Sequence, residues 1–189
     1  KYLLFGEIFA NAKNKEDLDS ATNAKYIDKS IEDFKKAYAK NSTNAIAAFN
    51  VGVVSYNTFA TLDDVVRENI RSVQRINAEK PVEKDPKKTA AVEAKAKAEA
   101  EPFLKANVAL EPSIIKQVDQ AIEWLEKAYV ILKDKSSRSN NERSVINRSV
   151  DWLANLYAYK RDKARGKDNT AFDAFEAKYK EFDALHNKF

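Results

Sequence analysis

One histidine, no cysteine and three glycines make up a short inventory for chemistry. His186 stands three residues from the end, beside the apolar stripe of the last helical segment. A lone imidazole there reads as a surface or packing residue rather than a base. Without Cys there can be no disulfide framework, thiolate metal site or thiol nucleophile. Ser is common, but no G-x-S-x-G elbow or S-x-x-K motif sits in a suitable context. Three glycines cannot build a Walker loop or a dinucleotide fingerprint. Metal sites need His, Cys or convergent carboxylates. Asp63-Asp64 reads as helix capping, and the other carboxylate pairs lie on solvated faces. The expectation is therefore a protein with no catalytic residue, no metal and no cofactor. The alternative is a carbohydrate- or peptide-processing helical protein that uses Asp and Glu alone, paired across a cleft.

The bulk composition says what elements hold these residues. A hydrophobic fraction of 44% over 189 residues supplies a core. Three Gly and four Pro are too few for the many turns of a sandwich or barrel. Basic and acidic residues number 33 and 29, a net charge of +4, with signs alternating along most of the chain. A dedicated nucleic-acid binder clusters its basic residues, so nucleic acid is not expected as a partner. Uninterrupted apolar runs such as Ala45 to Phe49 are too short for a bilayer, so membrane insertion is not expected. The first residue is Lys1, which fits a removed signal peptide and a periplasmic or cell-envelope location in a bacterium; a cytoplasmic location is the alternative.

Apolar periodicity predicts eight helices and no strand. Tyr2, Phe5 and Phe9 mark the first, with Gly6 at a close contact. Thr22 caps a second, whose stripe is Ile27, Ile31, Phe34 and Tyr38, after a loop over Asn14 to Ser20. A third starts at Ala45 and is apolar nearly all round. Gly52 inside it costs about 1 kcal/mol against Ala, so a neighbouring helix must approach closely there. Thr61 and Asp64 open a fourth helix with Leu62, Val66, Ile70 and Val73. After a loop to Asp85, Pro86 starts an Ala-Lys-Glu helix with little to bury, so it projects into solvent, covers the body lightly or drives self-association. Pro102 kinks or restarts it before Phe103 and Leu104. Pro112-Ser113 opens a helix carrying Ile115, Val118, Ile122, Leu125, Tyr129 and Leu132. Ser139 and Glu142 have the capping-box spacing before a helix that Gly166 ends. Asn169 caps the last helix, with Phe172, Phe175, Tyr179 and Phe182 as its stripe.

Two of these segments share a plan. Ser30, Phe34 and Ala37 recur as Ala121, Leu125 and Ala128, a small residue, a large one four later and Ala three after that. Phe49-Asn50-Val51-Gly52-Val53-Val54-Ser55-Tyr56 follows the first copy with an aromatic, an Asn, an apolar-Gly pair and a Tyr. Together they resemble the tetratricopeptide repeat, and residues 62–111 interrupting the second repeat resemble a secreted bacterial subgroup of that family. The resemblance implies one all-α domain over 1–189, a stack of antiparallel helix pairs with a helical insertion over 62–111. It departs from the family where Ser42 replaces the turn Pro and Tyr157 the usual Gly.

The resemblance also implies where a partner would lie. The first helix of each pair would line a concave face that binds a protein or peptide partner. Ile46, Phe49, Asn50, Val53, Tyr56 and Asn57 would line it, with Ala154 and Arg161 from the later pair; the other reading of Phe49 and Val53 is that they are simply core. Phe49 and Val53 stand where a clamp for terminal carboxylates would want Lys and Asn, so a mixed apolar and polar peptide groove is expected instead. Lys160 to Arg165 is a basic run that its position at a helix C-terminus already favours.

Overall fold

A computed structural model describes residues 1–12 and 19–189. The described residues form six helices and no strand: α1 (Tyr2–Ala12), α2 (Ser20–Lys40), α3 (Ala45–Glu79), α4 (Pro86–Lys133), α5 (Asn140–Ala164) and α6 (Asn169–Asp183). The chain is all-helical. Most of the expected loop over Asn14 to Ser20 lies outside the described residues.

Six helices replace the expected eight because two breaks do not occur. α3 runs through Thr61 and Asp64 without a cap. α4 runs through both Pro102 and Pro112. A proline removes the N–H that would reach the carbonyl four residues back, here that of Ala98 and Val108. Both prolines and both of those residues are exposed, so water can take the freed carbonyls.

The helix ends follow local capping chemistry. At α2 the cap is Asp19 rather than Thr22; its carboxylate accepts the Thr22 backbone N–H at 2.9 Å and the Thr22 hydroxyl at 2.7 Å. At α6 the cap is Asp168 rather than Asn169, accepting the Ala171 N–H at 2.9 Å. At α5 Ser139 and Glu142 form the reciprocal capping box. Gly166 follows the end of α5 at φ +72°, a left-handed conformation open to glycine.

The chain divides into two compact units, residues 1–57 with 118–189, and residues 58–117. In the first unit, both copies of the small-large-Ala plan are buried throughout: Ser30, Phe34 and Ala37, and Ala121, Leu125 and Ala128. Each glycine predicted to lie at a close contact does so. A Cβ on Gly6 of α1 would stand 2.5 Å from Phe34 of α2, and one on Gly52 of α3 would stand 2.6 Å from Leu125 of α4. Ser55 of α3 also donates to Gln120 of α4 at 3.1 Å.

Further contacts order the helices of this unit. Glu7, Ala10 and Asn11 of α1 share a cavity wall with Asn50, Val53 and Val54 of α3. Phe49 and Tyr56 of α3 stack on Trp152 of α5. Thus α1, α3 and α5 are successive neighbours. Tyr38 of α2 meets Trp124 of α4 edge-on, and Tyr129 of α4 meets Phe182 of α6 in the same way. Thus α2, the 118–133 part of α4 and α6 are successive neighbours too. The Tyr157 hydroxyl of α5 donates to Glu126 of α4 at 2.8 Å, and its ring stacks on Phe182. Burial first, then that bond, pushes the Tyr157 phenol above its usual pKa.

The second unit, 58–117, holds the rest of α3 and most of α4, and the segment 62–111 falls inside it. Asn69 donates to Asn107 at 2.7 Å, while Ile76 and Glu79 line a cavity with Val92, Ala96 and Glu99. Those pairings run in opposite directions along the two helices, so the helices are antiparallel. Ala96 and Ala100 are buried in the Ala-Lys-Glu segment, which lets backbones approach without a large side chain. Val65, Leu104 and Val108 remain exposed.

Among the described residues α3 is the one helix long and apolar enough to cross a bilayer, and half of its most apolar stretch is buried. Its apolar residues Ala47, Ala48, Val51 and Val54 lie in the core of the first unit.

Candidate partner-binding face

The start of α3 is apolar around its whole circumference because it has neighbours on several sides. Gly52 and Ser55 face α4. The residues singled out from sequence split between two other directions. Asn50 and Val53 turn toward α1, where they line a cavity of about 210 Å³ with Glu7, Ala10, Asn11 and Phe34. Phe49 and Tyr56 turn toward α5. Ile46 is half-buried and Asn57 exposed.

Phe49, Trp152 and Tyr56 form one stack. Phe49 lies 5.6 Å from Trp152, centroid to centroid, with planes 1° apart; Tyr56 lies 4.8 Å from Trp152 with planes 12° apart. The two spacings together match the roughly 10.5 Å that seven residues rise along a helix. The indole of α5 is therefore inserted between two rings of α3. Stacked pairs of this kind contribute about 0.5–1.5 kcal/mol beyond their buried area. Phe49 is 6% exposed and serves as the floor. Trp152 and Tyr56 keep part of their surface in solvent.

Arg148, one turn before Trp152 on α5, covers the stack. Its guanidinium carbon lies 4.6 Å from the Trp152 ring and 5.4 Å from the Phe49 ring. The nearest acidic residue along the same helix, Asp151, is engaged elsewhere: its carboxylate accepts from His186 Nδ1 at 2.6 Å. His186 is thus a tether for the C-terminal segment. Beside it, the Asn147 amide donates to the Phe189 carbonyl at 2.7 Å and accepts the Phe189 N–H at 3.3 Å.

Arg161 is not brought to the α3 residues. It pairs with Glu176 of α6 at 3.0 Å and lies 4.9 Å from the Tyr179 ring. Bonds to Glu176 and then Asp162 raise its pKa. Ala154 is buried at 8% exposure. Trp152 and Arg148 join the face although sequence periodicity does not single them out for binding. The available signal is their spacing, since residues four apart on a helix are neighbours and an Arg so placed can lie over an indole.

No group of three or more His, Asp or Glu side chains is placed to hold a metal among the described residues. Bonds to Lys36 and Lys29 hold Glu32 low, and bonds from Lys180 and Arg161 do the same for Glu176. Asp19 is held low by the Thr22 backbone it caps. No family model, curated protein or solved structure matches this chain.

Proposed function

We propose that this chain is a helical-repeat interaction module of the tetratricopeptide type, whose first-helix face holds a peptide segment of a partner protein. On this reading α1, α3 and α5 are the first helices of three pairs, and α2, the end of α4 and α6 are the second helices. The alternating neighbour contacts, and the glycines at two of the pair interfaces, support that assignment. The observation that carries the binding reading is the Phe49–Trp152–Tyr56 stack. A rigid aromatic floor with a buried base and partly exposed edges offers contact area at little entropic cost, as binding hot spots do.

The test is a selection of short random peptides on the immobilised chain, with binding re-measured on Tyr56→Ala and Asn57→Ala variants whose helical circular dichroism is unchanged. Selected peptides should weaken on Tyr56→Ala by about tenfold or more. A selection that enriches nothing, or peptides indifferent to Tyr56, would remove the reading.

A further inference from the structure

We infer that the segment held on this face presents an acidic side chain beside an apolar one, and that Arg148 is the residue that reads the acid. This rests on the groove reading above and names the chemistry of its ligand. The reason lies in how the arginines of the chain are used. Arg67, Arg71, Arg75, Arg161 and Arg165 each pair with a carboxylate. Arg138 and Arg143 donate to backbone carbonyls. Arg148 alone has no hydrogen bond or ion pair within the described residues, although it is exposed and held in place by two rings.

The one carboxylate a single turn along its own helix, Asp151, is withdrawn by His186. A guanidinium held against aromatic rings still has N–H donors to offer, and two of them in parallel match a carboxylate. Fixing the guanidinium beforehand removes much of the entropy that an exposed ion pair normally loses. The apolar neighbour of the acid then meets the exposed edges of Trp152 and Tyr56. The net charge of +4 draws an acidic segment toward the surface in the same sense.

The experiment uses the full chain and the best peptide from the random selection. We expect enriched peptides to carry Asp or Glu at a fixed place next to an aromatic or branched residue. Replacing that acid by its amide should weaken binding about tenfold or more, the scale of a charge-assisted pair. Arg148→Gln should weaken the acidic peptide to the level of the amide peptide, and Arg148→Lys should retain part of the preference. If peptides depend on Tyr56 but acid and amide bind alike, or the preference survives Arg148→Gln, the acidic inference is overturned and the groove reading stands. If no peptide depends on Tyr56, the groove reading fails and takes the inference with it. A single-stranded oligothymidine that displaces the peptide and is itself lost on Arg148→Gln would assign the face to nucleic acid instead.

Discussion

Gly52 and Leu125 meet so closely that a single added carbon would not fit: a Cβ on Gly52 would stand 2.6 Å from Leu125 Cγ. Leu125 is fully buried and cannot swing aside. In an open helix, Gly→Ala gains about 1 kcal/mol from propensity. Here overpacking, about 1–3 kcal/mol, opposes it. We expect Gly52→Ala to be destabilising by about 1 kcal/mol in urea denaturation. Adding Leu125→Ala should give a favourable coupling, because the smaller residue makes the room. A stabilised Gly52→Ala chain would show that α3 and α4 do not touch there.

That contact was legible in the sequence because a glycine inside an apolar helix has few uses other than close approach. Gly6 and the buried Ser30, Phe34 and Ala37 were legible for the same reason of packing. Helix continuity was not. Thr61 with Asp64, and Pro102 with Pro112, are local stop signals, and the exposed positions around them let the helices run on regardless. The caps Asp19 and Asp168 stand one to three residues before the residues that sequence favours, since Thr and Asn are capping types too and type alone does not fix which of two nearby candidates takes the position. At the candidate site, periodicity gives Phe49 and Tyr56 an apolar role. It does not say which neighbour each one meets, so the insertion of Trp152 between them comes only from the fold.

The start of α5 should make stability depend on acid in a defined window. A bond from the Lys135 ammonium and then one from the Ser139 backbone N–H hold Glu142 at about 2, below its ordinary 4.5. A folded-state pKa that is depressed adds stability above the unfolded value and loses it as pH falls through the folded one. The contribution of Glu142 is therefore present above pH 4.5 and fades between 4.5 and about 2. Urea denaturation of the native chain and Glu142→Gln at stepped pH should show a gap at neutral pH that narrows across that interval. A gap independent of pH would contradict the capping box as described.

Arg161 separates a stabilising role from a binding one. Its ion pair with Glu176 and its place on the Tyr179 ring tie α5 to α6. We expect Arg161→Ala to lower the thermal midpoint and to leave peptide affinity within a factor of about two, since few residues near an interface carry its energy. Calorimetry for the first and titration for the second check both halves. A large loss of affinity with unchanged stability would return Arg161 to the binding face.

The chain carries two tryptophans, and they divide the molecule usefully. Trp152 lies in the proposed groove between Phe49 and Tyr56. Trp124 packs against Tyr38 between α2 and α4, with Lys127 4.0 Å from its ring. Their two indole N–H signals in a nitrogen–proton NMR spectrum, assigned by Trp152→Phe, report on the two places separately. On titration with a selected peptide, the Trp152 signal should shift in a saturable way while the Trp124 signal stays where it is. Movement of Trp124 with Trp152 unchanged would place the partner elsewhere and contradict the account.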